Sequence, residues 1–432
     1  MKKITSVALS MLLFLAGCGG SNAGTATTNT EPAASGTEAT AEATTTEAKG
    51  GPYKIAIATV HEGEAWEIAR KYLDEVVSKA LNMEFMYSEV LHDAGELMNF
   101  MDQAYAAGCD GIVNMVTQND AISQGAHKAE DWGMWFITEN SAYVEDVAEL
   151  PHNLGHLGAS PEAVGTAYKR AFAQYLSDGE NHSAYVFSGA SVGGNIGQGA
   201  ASHFYSAQGI LEAFQEAYNL NYAKSIEDII NTQEPGEVDT GNPDVHIYLY
   251  PGRNPGDAVT AALPVLQTGN YDIFAAVFSF SAFTNMIGDI ESNLNKDIRI
   301  LGTGQIENQV RTGFETTDPT GDTVLNGIIL NDIGVALGLK LAMMYNALNG
   351  ASEQMKDNGK SVFLGVRSWA CLDAETFKKM EKLNTSPETY IITAEELKAL
   401  TVDENPNVTW KDIEAKLVEI SDIDALLAKK GL

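Results

Sequence analysis

Basic residues are scarce in this chain: 27 Lys and Arg stand against 58 Asp and Glu, a formal net charge of −31 over 432 residues. Nucleic acids and other polyanions are held by clustered Lys and Arg, so the composition argues against that class of partner. Cysteine is scarcer still, at Cys18, Cys109 and Cys371 only. That is too few for a disulfide framework. Cys109 and Cys371 both stand in apolar surroundings, where free buried thiols fit better than a bridge. Long apolar runs are missing as well: past the first residues, no stretch approaches the roughly 20 residues that cross a bilayer. Residues 19–50 contain no Ile, Leu, Val or aromatic residue. Such a segment buries too little apolar surface to fold, and reads as a flexible linker reaching roughly 30 Å.

What is present begins with MKKITSVALSMLLFLAGC. Lys2 and Lys3 precede a short apolar run, the pattern of a secretion signal. Its end, Leu15-Ala16-Gly17-Cys18, resembles the bacterial lipobox. That resemblance implies a signal peptide over 1–18, lipidation of Cys18, and a protein tethered to the extracytoplasmic face of the bacterial cell membrane.

From residue 51 the chain is long enough for two domains. KIAIATV (54–60) predicts a buried strand, and Ala65, Ile68, Ala69, Tyr72 and Val76 recur at helical spacing after it. MEFMYSEV, GIVNMV and MWFIT predict further strands, with helices between them. This β-α repetition predicts a parallel sheet covered on both faces. Ser160-Pro161-Glu162 predicts a helix start, with serine as cap and proline in the first turn. A second alternating set follows: SAYVFS (183–188), KSIEDII (224–230), DIFAAVFS (272–279), DIRILGTG (297–304) and VLNGIIL (324–330) as strands, with helices between several of them. Beyond 373 the chain is charged and helical. The fold class expected is α/β, with two Rossmann-like lobes on parallel sheets and a helical C-terminal tail.

Gly189-Ala190-Ser191-Val192-Gly193 fits G-x-S-x-G, the turn that presents a serine nucleophile in α/β hydrolases. The chain order required there is Ser, acid, His, and only His203 and His246 follow Ser191. The extended loop to Gly199 also delays the helix that such a turn enters at once, so a serine hydrolase is the weaker reading. The loop lacks the lysine of a P-loop and the third glycine of G-x-G-x-x-G. His152 and His156 are spaced to share one face of a strand, but no Glu or Cys stands beside them to complete a zinc set. No metal and no cofactor is expected.

In order, these segments resemble the type I periplasmic-binding-protein family, the sugar-type receptors of ABC importers. The carrying stretches are KIAIATV with its helix, Ala106-Ala107-Gly108-Cys109-Asp110-Gly111-Ile112-Val113, GHLGASPEAVGTAYKRAFAQYL, FSGASVGGNIGQG with Gly209-Ile210-Leu211-Glu212-Ala213-Phe214, DIFAAVFSFSAFTNMIGDIE, IRILGTGQ and VLNGIILNDIGVALGLKLAMMYNALNG. The resemblance implies two lobes joined by a three-strand hinge. The first lobe would be 51–157 and 331–362, the second 158–330 and 363–372, with an extension over 373–432. It implies a binding protein rather than an enzyme, which captures a sugar or sugar-like solute between the lobes and delivers it to an ABC permease. A sensory or nucleoside-binding receptor of the same fold is the alternative, because the family's usual Asp and Arg ligands are mostly replaced. The resemblance places His61, Glu64 and Trp66 after the first strand, Glu139 and Asn140 after the fourth, and Ser206 on a second-lobe helix. It places Phe280 and Ser281 after FAAVF, Gln305 after RILGTG, and Asn331 and Asp332 at the third crossing. Trp66 would stack on the apolar face of a sugar, and the polar residues would bond its hydroxyls.

Overall fold

The computed structural model describes residues 52–139, 144–189, 201–232, 234–252, 254–277 and 280–432. Its first strand, β1 (Tyr53–Ala58), sends Ile55 and Ile57 into one core and Ala56 and Ala58 into another. A strand buried on both faces needs a helix layer on each side. The chain supplies them in turn. After β1 come α1 (Glu64–Tyr72), which continues through Leu73–Val77 into α2 (Ser78–Leu81), and β2 (Met83–Tyr87). Then follow α3 (Ala94–Ala106), β3 (Gly111–Asn114), α4 (Asn119–Trp132), β4 (Trp135–Thr138) and β5 (Asn153–Ala159). Asp93 starts α3 by accepting the Glu96 N–H at 2.9 Å. A late strand, β12 (Val362–Val366), completes a six-stranded, wholly parallel sheet in the order β12-β5-β4-β3-β1-β2.

The second lobe opens with α5 (Pro161–Tyr175), capped by the Ser160 hydroxyl, which accepts the Ala163 N–H at 3.2 Å. It continues through β6 (Ala184–Phe187), α6 (Ala201–Tyr218), α7 (Ile226–Ile230), β7 (Gly236–Glu237), β8 (Ile247–Tyr250) and α8 (Pro255–Leu266). Next come β9 (Ile273–Ala276), α9 (Thr284–Leu294), β10 (Arg299–Gly304), α10 (Asn308–Glu315) and β11 (Gly327–Leu330). With β13 (Trp369–Cys371) they form a seven-stranded sheet, β13-β11-β10-β9-β6-β8-β7, parallel except for its two edge strands. Tyr185 and Phe187 of β6 face one core, and Ala184 and Val186 face the other.

KSIEDII folds as a helical turn, α7, where a strand was expected. Ser225 accepts the Asp228 N–H at 3.1 Å, and that cap starts a helix which buries only Ile229 and Ile230.

The chain passes between the sheets after β5, between β11 and α11 (Ile333–Asn346), and between β12 and β13. The Ser160 N–H donates to the Val366 carbonyl at 2.9 Å, and the Ser368 hydroxyl donates to Asn331 Oδ1 at 2.5 Å. These bonds tie the three crossings side by side. Pairing of β12 with β5 keeps the chain in the first sheet to Val366, a few residues past the boundary expected at 362. The extension then adds α12 (Ala374–Thr385), α13 (Ala394–Lys398), α14 (Trp410–Glu419) and α15 (Ile423–Lys429). Glu396, in a capping box with Thr393, pairs with Lys416, Lys429 and Lys430 at 2.8–2.9 Å and staples α13 to α14 and the end of α15. Burial opposes its charge, but the three lysines hold its carboxyl well below the usual range. Cys109 and Cys371 are buried, unbridged thiols. Among the described residues, no helix is long and apolar enough to cross a membrane.

Helices α5 and α6 touch backbone to backbone. A Cβ at Gly209 would stand 2.1 Å from the Gly165 carbonyl oxygen, and one at Gly165 would stand 2.4 Å from that of Tyr205. Neither obstacle is a side chain that could swing aside. Gly209→Ala is therefore expected to lower stability by about 2 kcal/mol, the order of a core overpacking, read as a lower midpoint in urea. An unchanged midpoint would show that the helix pair has slack.

Candidate functional site

In parallel sheets the loops after the strands gather at one edge, where ligands of open α/β folds bind. In the first lobe that edge carries a small charged group. Thr59 Oγ1, just past β1, accepts the His61 N–H at 3.0 Å and sets the turn that places His61. Asn114, at the end of β3, donates to Thr138 Oγ1 at 3.1 Å and to the Val116 carbonyl at 2.9 Å, and its own carbonyl accepts the Glu139 N–H at 2.8 Å. The ends of β3 and β4 are thus locked together, with Glu139 on the rim.

Beneath Glu139 lies Lys340 of α11, fully buried, its Nζ 2.7 Å from Glu139 Oε2. Burial works against the charged carboxylate, but Lys340 and His61 outweigh it and hold Glu139 below the usual carboxylate range. Burial likewise lowers the His61 imidazole, with Glu139 opposing and Lys340 adding to the shift. The Glu139 side chain keeps about a fifth of its surface exposed while Lys340 keeps none. The lysine is therefore a prop that points one neutralised carboxylate outward as a hydrogen-bond acceptor.

Gln305, Asn331 and Asp332 line one hollow with Tyr72 of α1; Asn331 and Asp332 stand at the second crossing rather than the third expected, because the chain crosses once more between β12 and β13. Asp332 caps α11 through the Val335 N–H at 2.8 Å. Burial pushes its carboxyl up to about 6, against the pull of the Val335 and Gly334 N–H groups. Asn331 is oriented by Ser368, and its N–H donates to the Gly304 carbonyl at 3.0 Å.

Most of the other residues expected at the site are paired with, or packed against, other parts of the chain. Glu64, the first residue of α1, pairs with Arg311 of α10 at 2.9 Å. Trp66 is 5% exposed, edge-on to Tyr87 at 6.0 Å, and so offers almost no open face for stacking. The buried Ser206 hydroxyl donates to the Ser202 carbonyl at 2.7 Å along α6. Phe280 is 3% exposed and lies over Gly302 of β10, while Ser281 is exposed. Asn140, Ser191 and Cys18 lie outside the described residues. His152 bonds Glu130 at 3.1 Å, and His156 is buried beside Phe363, its imidazole lowered to about 4 by burial. Among the described residues, three potential metal ligands converge elsewhere: Glu291, Asp297 and Asp318 have carboxylate oxygens within 4.8 Å of one another.

Lys340 and Arg311 were missed in the sequence. The signal for Lys340 was there: it is the one charge inside Ile333–Asn346, an otherwise apolar helix. A charge in such a place is there for a partner.

No protein-family model matches the sequence, and no curated protein does. Solved structures do match. A periplasmic sugar-binding protein from Pseudomonas fluorescens aligns over 87% of this chain and 99% of its own, with 12% identity and a TM-score of 0.52. An ABC transporter solute-binding protein from Bradyrhizobium sp. BTAi1, with bound bis-tris, aligns over 76% of this chain and 84% of its own, with 13% identity and the same TM-score. The architecture of this chain is the two-lobe fold of the type I periplasmic-binding proteins. Both similar structures are binding proteins.

Lys340→Met leaves Glu139 without its counter-charge and is expected to cost about 3–5 kcal/mol. Adding Glu139→Gln should recover most of that loss. Equal losses in the single and double variants, by chemical denaturation, would mean that the pair is not coupled.

Proposed function

We propose that this chain is a lipid-anchored, extracytoplasmic receptor that captures a sugar or sugar-like solute between its lobes and delivers it to an ABC permease. The observation that carries this reading is the gathering of Glu139, propped by Lys340 beside His61, at the loop edge of the first sheet, with Gln305, Asn331 and Asp332 at the hinge. These are carboxylates and carboxamides, which accept and donate the hydrogen bonds that hydroxyl groups make. None of them is arranged with a serine or cysteine as an activated nucleophile among the described residues, so binding rather than covalent chemistry fits them. The sugar-binding and ABC-transporter descriptions of the two similar structures support the same reading. Anchoring would run through Cys18 and the linker over 19–50.

Thermal unfolding against monosaccharides, polyols, nucleosides and amino acids tests it. A solute at about 100 times its Kd adds roughly 2.7 kcal/mol of stability. Stabilisation by one hydroxylated class, lost in Glu139→Gln, is the expected result. A flat panel with a cooperative melt would overturn the reading and turn attention to ester hydrolysis by Ser191. A shift with nucleosides alone would favour the sensory alternative.

A further inference from the structure

The extension beyond β13 touches both lobes. On the second-lobe side, Phe377 of α12 stacks on Phe314 of α10, with ring centres 5.3 Å apart and 29° between the planes. On the first-lobe side, Tyr390 meets Tyr72 of α1 at 5.0 Å, and the Tyr72 hydroxyl donates to the Ile392 carbonyl at 3.0 Å. Further along, the Ile420 carbonyl accepts the Trp369 indole N–H at 2.8 Å, and Asp424 pairs with Arg170 of α5 at 3.0 Å. Between the aromatic contacts sits one guanidinium. Arg311 of α10 donates through Nε to Glu381 of α12 at 2.8 Å and through Nη2 to Glu64 of α1 at 2.9 Å. One cation on the second lobe thus neutralises one carboxylate of the first lobe and one of the extension.

A hinge that opens two lobes changes the distance between elements that face each other across it. Here α1 and α10 are such elements, and α12 is packed against both. We propose that residues 373–432 form an interlobe clasp, in which α12 and the Glu64–Arg311–Glu381 network hold the two lobes at the separation seen here. Opening must break the Arg311–Glu64 pair or tear α12 from one lobe. The three side chains keep between about a quarter and two fifths of their surface exposed, so water can replace the bonds when they break. Removing Arg311 does more than delete a link: it leaves Glu64 and Glu381 facing one another without a counter-charge, and like charges push apart. The clasp rests on the fold and these contacts, so it stands or falls independently of which solute is bound.

The test is a distance distribution across the lobes in the full chain, with Cys18→Ser to keep labels off the N-terminus. Spin labels go on cysteines introduced at the exposed positions Asp131 of α4 and Ala217 of α6. Cys109 and Cys371 are buried and stay unlabelled. Without added solute, the chain carrying Arg311 is expected to give one narrow distribution. Arg311→Met should broaden it or add a second distance holding most of the population, while Arg311→Lys keeps it largely narrow. Thermal melts verify that each variant is folded; if Arg311→Met is not, Glu381→Gln takes its place. A broad distribution with Arg311 present, or an unchanged narrow one in the folded variant, would overturn the clasp.

Discussion

Parallel strands cannot be joined by tight turns; each pair needs a crossover, and each crossover lays a helix on one face of the sheet. That constraint organises both lobes. Side chains alternate along a strand, so both sets must be apolar when both faces are covered. Ile55 and Ile57 against Ala56 and Ala58, and Tyr185 and Phe187 against Ala184 and Val186, satisfy it in the two sheets. It also decides where polar chemistry can sit. The sheet faces are closed, and the loops after the strands are where the chain is free to vary. His61 and Glu139 are on such loops, Gln305 follows β10, and Asn331 and Asp332 follow β11.

The same constraint explains Lys340. Helix α11 is buried nearly all round because it lies on the first sheet and also packs against α1, α13 and α14. A lysine there would be costly alone. Its ammonium is tolerable because its stem runs through the core to a carboxylate at the rim, and the carboxylate in turn is fixed by Asn114 through the backbone. Stability and the shape of the rim are therefore coupled through one ion pair.

Much of the fold was legible in the sequence. KIAIATV and its helix, the Gly108–Val113 stretch and Ser160-Pro161 all fold as their local chemistry suggests, because period, cap and core burial agree at each place. KSIEDII did not, because three isoleucines among polar residues over so short a stretch fit a strand or a helical turn equally and only the Ser225 cap decides. For the site, the sequence supplied the loops but not the directions of the side chains. Trp66 has the residue type of a stacking ligand, yet helical spacing carries it into the core against Tyr87. Ser206 falls in the crowded contact of α5 with α6, where its hydroxyl has a carbonyl of its own helix to bond. Glu64 is drawn to Arg311, far off in the sequence. The extension was legible as helices; the contacts that attach it to both lobes, such as Phe377 with Phe314, are ones no local pattern encodes.

A crystal structure of the protein with the solute that stabilises it most would show whether the two groups share one ligand. A bound molecule is expected between the lobes, with one hydroxyl within hydrogen-bond distance of Glu139 and another within reach of Asn331 or Asp332. A solute bound elsewhere, with Glu139 still bonded to Lys340 alone, would contradict that expectation.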